Sequence, residues 1–351
     1  MSRPFHPSRH LAAAMSQPSS IGVIVNPSAG RDVRRLVSWA SVVPHAEKVN
    51  TVLRLLAAGA CLGLERAWLI PDASGLGARV VEKVRAAQAA GELRLPEVRL
   101  LPMASSDSVE DSRAAAVALR AMGVGAIAVL GGDGTHRAVA QGCGEVPLLT
   151  LSTGTNNAFP RLREPTLAGM ALGLYLRGRV PEAVALQRNK VLRVRGADAE
   201  AIALVDVVVS RQRGVGARAV YSADDVHSVY AAFAQANAIG LSSIAAYLQP
   251  VDRAQPWGAQ VELGEGRELL APLLPGVLQT VRVRRVQRLL PGHAQPLPAV
   301  HGTLAFDGER EWTLDPLQPP TIELALDGPR TLAVEAILDH AGAHGLLLGG
   351  R

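Results

Sequence analysis

The sequence predicts an α/β protein, with an N-terminal doubly wound parallel-sheet domain and a C-terminal domain that is β-rich, antiparallel and sandwich-like. Two patterns and one bulk property point there. Up to about residue 160, short apolar runs alternate with stretches of helical periodicity, as in a parallel sheet covered on both faces. Beyond about residue 185, the runs alternate apolar and polar residues between Pro, Gly and Asp turns, as antiparallel strands require. The chain has 351 residues, 48% of them hydrophobic, which is room for two compact cores. Aromatic residues make up only 3%, so Leu, Val, Ile and Ala must fill those cores.

Ile21–Val25 reads as the first buried strand and ends on the turn cluster Asn26-Pro27-Ser28-Ala29-Gly30. Helical spacing follows from Lys48 to Ala58. Arg66–Ile70 reads as a strand closed by Pro71-Asp72, Gly77–Ala90 as a helix, and Glu97–Leu101 as a strand. Ser108–Met122 reads as a helix with Glu110 and Asp111 at its positive N-terminal end. Ala126–Leu130 and Val146–Leu151 supply two more strands. In the second half, strands are predicted over Lys190–Arg195, Ala201–Val209, Leu278–Val286, Gly302–Phe306, Glu311–Leu314 and Thr321–Leu326. Leu332–Leu348 reads as a short strand and a closing helix.

The formal net charge is +5, but the basic residues are scattered and almost all Arg, with Lys only at 48, 83 and 190. Few aromatic residues are available to stack on bases. Nucleic acid is therefore not an expected partner, and the arginines read as solvated-face residues. The most apolar stretch, Ala114–Leu130, is interrupted by Arg120 and is shorter than the roughly 20 residues of a spanning helix. No integral membrane association is expected. Cys61 and Cys143 lack metal or redox spacing, which argues for a reducing compartment without disulfides. Residues 1–20 read as a disordered tail with no secretory apolar segment, so a cytoplasmic protein is expected, as a homo-oligomer.

The chemistry concentrates in Val129–Arg137, V-L-G-G-D-G-T-H-R. Asp133 lies at the carboxyl end of a predicted buried strand, where loops diverge and helix N-termini present free N–H groups. Gly131, Gly132 and Gly134 remove side-chain bulk so that phosphate oxygens can reach backbone donors, and Thr135 adds a hydroxyl. The bland alternative is a tight turn with Asp133 as a helix cap. A cap needs one small residue, whereas here the whole of G-G-D-G-T is small or polar. The string matches neither the P-loop nor the dinucleotide fingerprint.

G-G-D-G-T resembles the signature of the superfamily that joins NAD kinases, diacylglycerol kinases and sphingosine kinases. Asn26-Pro27-Ser28-Ala29-Gly30 is similar to the loop after the first strand of those kinases. Gly154-Thr155-Asn156-Asn157-Ala158-Phe159 is similar to a segment of the lipid kinases. Nineteen positions separate Thr135 from Gly154, room for one helix and one strand. Asp307-Gly308-Glu309 resembles a late turn of the lipid-kinase branch; alone it is an ordinary hairpin. A second likeness is narrower and covers more of the chain. N-P-S-A-G-R-D-V-R-R-L-V, E-K-V-N, G-G-D-G-T-H-R-A-V-A, L-S-T-G-T-N-N-A-F-P, R-N-K-V-L-R-V and G-T-L-A-F-D-G-E-R-E together resemble the acetoin catabolism protein X family, an ATP-NAD kinase-like group. That likeness runs from about Ile21 to the C-terminus.

The resemblance implies an ATP- and Mg2+-dependent kinase that phosphorylates a hydroxyl of NAD or a related small molecule. Asp133 would be the general base. Asn26, Gly131, Gly132, Gly134, Thr135, Gly154, Thr155, Asn156 and Asn157 would bind the nucleotide, and Asp206 the acceptor. Asp307 and Glu309 would be metal candidates, acting through water. It further implies a nucleotide-binding α/β domain over 21–160 plus roughly 333–351, and a β-rich acceptor-binding domain over 161–332. NAD kinases carry an Asn-Glu or Asn-Asp pair where this chain reads Val205-Asp206, and their Ser/Thr-rich loop has Gly240–Tyr247 as its counterpart. Two alternatives stand beside this reading: a diacylglycerol- or sphingosine-type lipid kinase, and a non-catalytic nucleotide-binding regulator. His136 either touches a phosphate or faces solvent. His340 and His344, four apart on the closing helix, read as an exposed pair rather than metal ligands.

Overall fold

The structure is a computed structural model that describes residues 19–28, 37–40, 43–91, 93–154, 157–216 and 218–348. Nearly all of the expected tail lies outside the described residues. The N-terminal half builds a parallel sheet from β1 (Ser20–Val25), β2 (Arg66–Leu69), β3 (Glu97–Leu100), β4 (Ala126–Gly131) and β5 (Leu148–Ser152). Their order is β3-β2-β1-β4-β5. Strands β1 and β4 are buried on both faces, which is why they read as unbroken apolar runs rather than as alternations. Two strands from later in the chain, Arg330–Leu332 and Leu186–Arg188, extend the sheet beyond β5.

Helices cover both faces. α1 (His45–Cys61) and α2 (Leu76–Ala90) bury Val52, Leu55, Leu56, Val80 and Val84 against Ile21, Val23 and Val25. α3 (Val109–Ala121) and α4 (Asp133–Cys143) bury Ala115, Leu119, Val139 and Cys143 against Ile24, Ile127 and Val129. The alternate residues of β1 thus feed two separate cores. α5 (Pro165–Leu176) and the closing helix Val334–Ala343 join the first face. α5 approaches α1 closely because Gly169 has no side chain: a Cβ there would lie 2.3 Å from the Leu55 carbonyl oxygen.

The second half forms two antiparallel sheets. Six strands run in the order Val277–Leu289, Gly258–Leu274, Val226–Ala231, Asp206–Ser210, Gly302–Phe306 and Glu309–Leu314. Four run in the order Gln295–Pro296, Thr321–Ala325, Val191–Arg195 and Glu200–Ala203. Leu192, Val194, Ile322 and Leu324 of the smaller sheet pack on Val207, Val209, Tyr230 and Phe306 of the larger. The other face of the larger sheet packs on the short helix Ser242–Ala246. The fold is therefore the α/β class with a parallel N-terminal and an antiparallel C-terminal part.

Three local readings change. The strand expected over Ala201–Val209 is two strands, and the chain passes from one sheet to the other at Leu204–Val205. Gly258–Leu274, unrecognised in the sequence, pairs with Val277–Leu289 over a register that shifts around Gly264 and Pro272, and those residues hide its periodicity. Val226–Ala231 also escapes recognition, because its near-complete burial leaves no alternation and the adjacent His227 and Ser228 interrupt the apolar run. Among the described residues no helix is long and apolar enough to cross a membrane.

Gly169→Ala is expected to force α1 and α5 apart and lower stability by about 1–3 kcal/mol, read as a reduced midpoint in urea at unchanged slope.

Candidate functional site

The helices after β1 and β4 leave to opposite faces of the sheet, so the two loops between strand and helix diverge and leave a crevice. Asn26 spans that crevice. Its backbone N–H donates to Leu130 O at 3.0 Å, and its Nδ2 donates to Thr135 Oγ1 at 2.9 Å. Its Oδ1 accepts from Ser28 N at 2.8 Å, folding the loop into an Asx turn. Underneath lies Lys48 of α1, 1% exposed, whose Nζ donates to the carbonyls of Asn26 and Pro27 at 3.0 and 2.8 Å. The first loop is thus held from below by an ammonium and from the side by Thr135.

The three glycines of G-G-D-G-T serve different ends. A Cβ at Gly131 would meet Thr135 Cβ at 2.6 Å, and one at Gly132 would meet Asn157 Oδ1 at 2.8 Å. These two let the loop close on itself and on its neighbour. At Gly134 the space is open, with only Glu309 Oε1 at 4.0 Å. Asp133 begins α4 but does not cap it. Its carboxylate reaches across to the next loop and accepts from Ala158 N at 3.0 Å and Phe159 N at 2.8 Å. Asn157 Nδ2 donates to Ser152 Oγ at 2.8 Å, which steadies the far side of that loop. Gly154 lies beside it, with Asn157 Nδ2 at 3.2 Å from where a Cβ would stand. Thr155 and Asn156 lie outside the described residues.

The opposite wall is a corner of the C-terminal part. Asp307 sits at φ 51° in the hairpin between Gly302–Phe306 and Glu309–Leu314. Its carboxylate accepts from Val205 N at 2.8 Å, Leu204 N at 3.2 Å and Asp206 N at 3.3 Å. Those amides belong to the segment where the chain changes sheets, so one buried carboxylate turns the corner that presents Asp206. Burial pushes the Asp307 carboxyl up to about 7; the Arg137 guanidinium, 3.8 Å away, opposes this and the Asp133 charge adds to it. Arg137 also bonds Glu311 and lies 5.6 Å from the Phe306 ring, so it ties α4 to the C-terminal sheet.

Between the walls is a narrow cleft lined by Asp133, Ala158, Val205, Asp206, Asp307, Gly308 and the Gly240–Ser242 turn. A second, roomier groove opens on the other side of Asn26, between Ile70–Asp72 and Ser105–Ser112. Among the described residues no three His, Cys, Asp or Glu side chains stand close enough to cage a metal ion.

Residues 21–180 match the ATP-NAD kinase N-terminal domain, and residues 190–327 match the acetoin catabolism protein X C-terminal domain. The chain is 44% identical over 96% of its length to Acetoin catabolism protein X of Cupriavidus necator, 97% of which is covered. The chain belongs to the acetoin catabolism protein X family. As a member of that family it is an NAD kinase-like protein with the family's own C-terminal domain. The G-G-D-G-T signature and the Asn26 loop fall within the kinase-like match, and the Asp206 and Asp307 corner within the family-specific one.

Sequence reasoning missed the cations. Lys48, Arg137, Lys190, Arg253 and Arg310 are buried rather than on solvated faces. Their only available signal was the rarity of lysine, two of whose three positions prove to be interior. His136 neither faces solvent nor opens toward a phosphate: it is 0% exposed, with Nδ1 against Gly132 O at 2.8 Å and its ring 5.9 Å from Phe159. The α4 helix turns that position inward. His340 and His344 stack at 3.9 Å on the closing helix.

Asp307→Ala leaves three amides without their acceptor and takes from Arg137 one of its two carboxylates, and is expected to cost about 3–5 kcal/mol in chemical denaturation. Burial holds His136 down to about 4, so the folded state refuses a proton that the unfolded chain accepts below its ordinary value. The stability it contributes is therefore present above about 6.5 and lost as pH falls toward 4. The stability gap between wild type and His136→Gln is expected to narrow across that window in denaturation series at stepped pH.

Proposed function

We propose that the protein is an ATP- and Mg2+-dependent kinase that transfers the γ-phosphate to a hydroxyl of NAD or a related small molecule. One observation carries this reading. A carboxylate at the start of a helix, cleared by glycines, faces a cleft whose far wall belongs to a different domain match. The donor enters from the groove beside Asn26, with its phosphates over Asn26, the glycine loop and Thr135. The acceptor approaches through the narrow cleft beside Asp206. The reacting atoms meet at Asp133.

Phosphoryl transfer asks the protein chiefly for positioning and charge neutralisation. Backbone N–H groups at the start of α4 face the phosphates and carry the positive end of its dipole. Asp133 is held at the edge of the cleft by the Ala158 and Phe159 amides, and its carboxylate is the group that would take the proton of an attacking hydroxyl. The residues present suit Mg2+ rather than a metal with a full protein cage, because Mg2+ retains waters and binds through few carboxylates and the substrate phosphates. Asp133 and Glu309, both beside the glycine loop, would hold such an ion; most of Asp307's capacity is spent on backbone amides. When bound, the ion would screen the negative charge shared between the phosphates.

Val205, the apolar neighbour of Asp206, narrows which groups can choose the acceptor. The Val205 side chain is buried in the core between the sheets, so this position offers an acceptor no amide group. Discrimination then falls to the Asp206 carboxylate and the Gly240–Ser242 turn.

Incubation with ATP, Mg2+ and a panel of NAD, NADH, small alcohols and acylglycerols tests the reading. Transfer to one acceptor, reduced about 10^2–10^4-fold by Asp133→Asn, is expected. Tight nucleotide binding without product in either protein would overturn the kinase in favour of a non-catalytic regulator.

A further inference from the structure

Two of the three lysines do the same thing in different places: each points an ammonium at backbone carbonyls of a loop. Lys48 grips the Asn26 loop, which belongs to the site already described. Lys190 lies in the other half of the molecule, 5% exposed, and grips a loop that the site has not yet explained. Its Nζ donates to the carbonyls of Asp252 at 3.0 Å, Gln255 at 2.8 Å and Trp257 at 2.7 Å. Three donors meet three acceptors, which is the full capacity of an ammonium. A planar guanidinium could not aim its donors at three converging oxygens, which accounts for a lysine in so arginine-rich a chain. Burial pulls the Lys190 ammonium down to about 8, with the Asp252 charge opposing and the Arg253 charge adding, so the cation is kept there against a desolvation cost.

The gripped loop carries Arg253. Its guanidinium stacks 4.1 Å from the Phe233 ring and 5.2 Å from the Phe159 ring, and it donates through Nη2 to the carbonyls of Ala158 and Phe159. These are the same two residues whose N–H groups hold the Asp133 carboxylate. Ala158 and Phe159 are therefore held from both sides, by a guanidinium on their carbonyls and by a carboxylate on their amides. The coulombic effect of Asp133 reaches Arg253 as well, which places the two charges in one field across the loop.

We infer that Lys190 and Arg253 are positioning residues for Asp133. Lys190 shapes the 252–257 loop, the loop aims Arg253, and Arg253 sets the Ala158-Phe159 amides that orient the carboxylate. Neither cation lines the cleft, so neither is a catalytic residue. The inference rests on the reading of Asp133 as the base for its consequence in rate, but its geometry can be tested without any activity.

The test pairs hydrogen–deuterium exchange with kinetics on the full chain. Lys190→Met is expected to speed amide exchange at least 10-fold at 252–257 and also at 157–160, while α3 exchanges as in wild type. Faster exchange at 252–257 alone would overturn the inference, because the two loops would then move independently. Arg253→Lys, which keeps the charge but loses the stacked fork, serves if Lys190→Met fails to fold; it is expected to free 157–160 and leave 252–257 protected. Where phosphate transfer is observed, both variants should lower kcat by about 10^2-fold with KM for ATP changed less than about 3-fold, the pattern of a misplaced reacting group. A rise in KM alone would overturn the positioning role. Absence of transfer in the wild type removes the kinase reading, while the exchange result still decides the coupling of the loops.

Discussion

The candidate site depends on buried and half-buried charges that hold the backbone of its loops. Asp133 takes the amides of Ala158 and Phe159, Asp307 those of Leu204, Val205 and Asp206, and Lys48 the carbonyls of Asn26 and Pro27. A buried charge left without such partners costs several kilocalories, so each of these loops has one favourable shape. Loops that would otherwise be the softest parts of an α/β fold become fixed points. That fixity suits the transfer proposed above, in which placement rather than covalent chemistry by the protein would supply most of the rate.

The same charges join the two halves. Arg137 leaves the helix that Asp133 begins and reaches Asp307 and Glu311 in the C-terminal hairpin. A shift of α4 relative to the antiparallel sheet would strand a nearly buried guanidinium. The cleft between Asp133 and Asp206 is for this reason a joint product of both halves, which the Arg137 ion pairs tie together. Family membership fits that division of labour. The half matching the ATP-NAD kinase domain carries the glycine loop, and the half matching the acetoin catabolism protein X domain carries the wall facing it.

Two elements show why local pattern fell short. The expected strand over Ala201–Val209 has no Gly or Pro in it, and nothing local announces that Leu204 and Val205 leave one sheet for another. The break is imposed from a hundred residues away by Asp307. The long strand Gly258–Leu274 fails as a pattern for the opposite reason: its glycines and Pro272 read as turns, yet they sit at register shifts within a paired hairpin. His136 follows the same logic. Its place after a phosphate-type loop suggests exposure, and only the packing of α4 against Phe159 puts it inside.

By itself the sequence determined the fold class, most of the parallel-sheet elements, the family, and the three loops that meet around Asp133. Those features are written in short-range signals: apolar runs, turn clusters, and glycines where side chains would collide. Only the tertiary structure decided which distant groups complete the site, namely Lys48, Arg137, Lys190 and Arg253 behind the loops and Asp307 behind Val205. A cation that caps carbonyls sixty or ninety residues away leaves no periodicity and no motif. Its role exists only once burial makes an unpartnered backbone oxygen costly, and burial is a property of the folded chain.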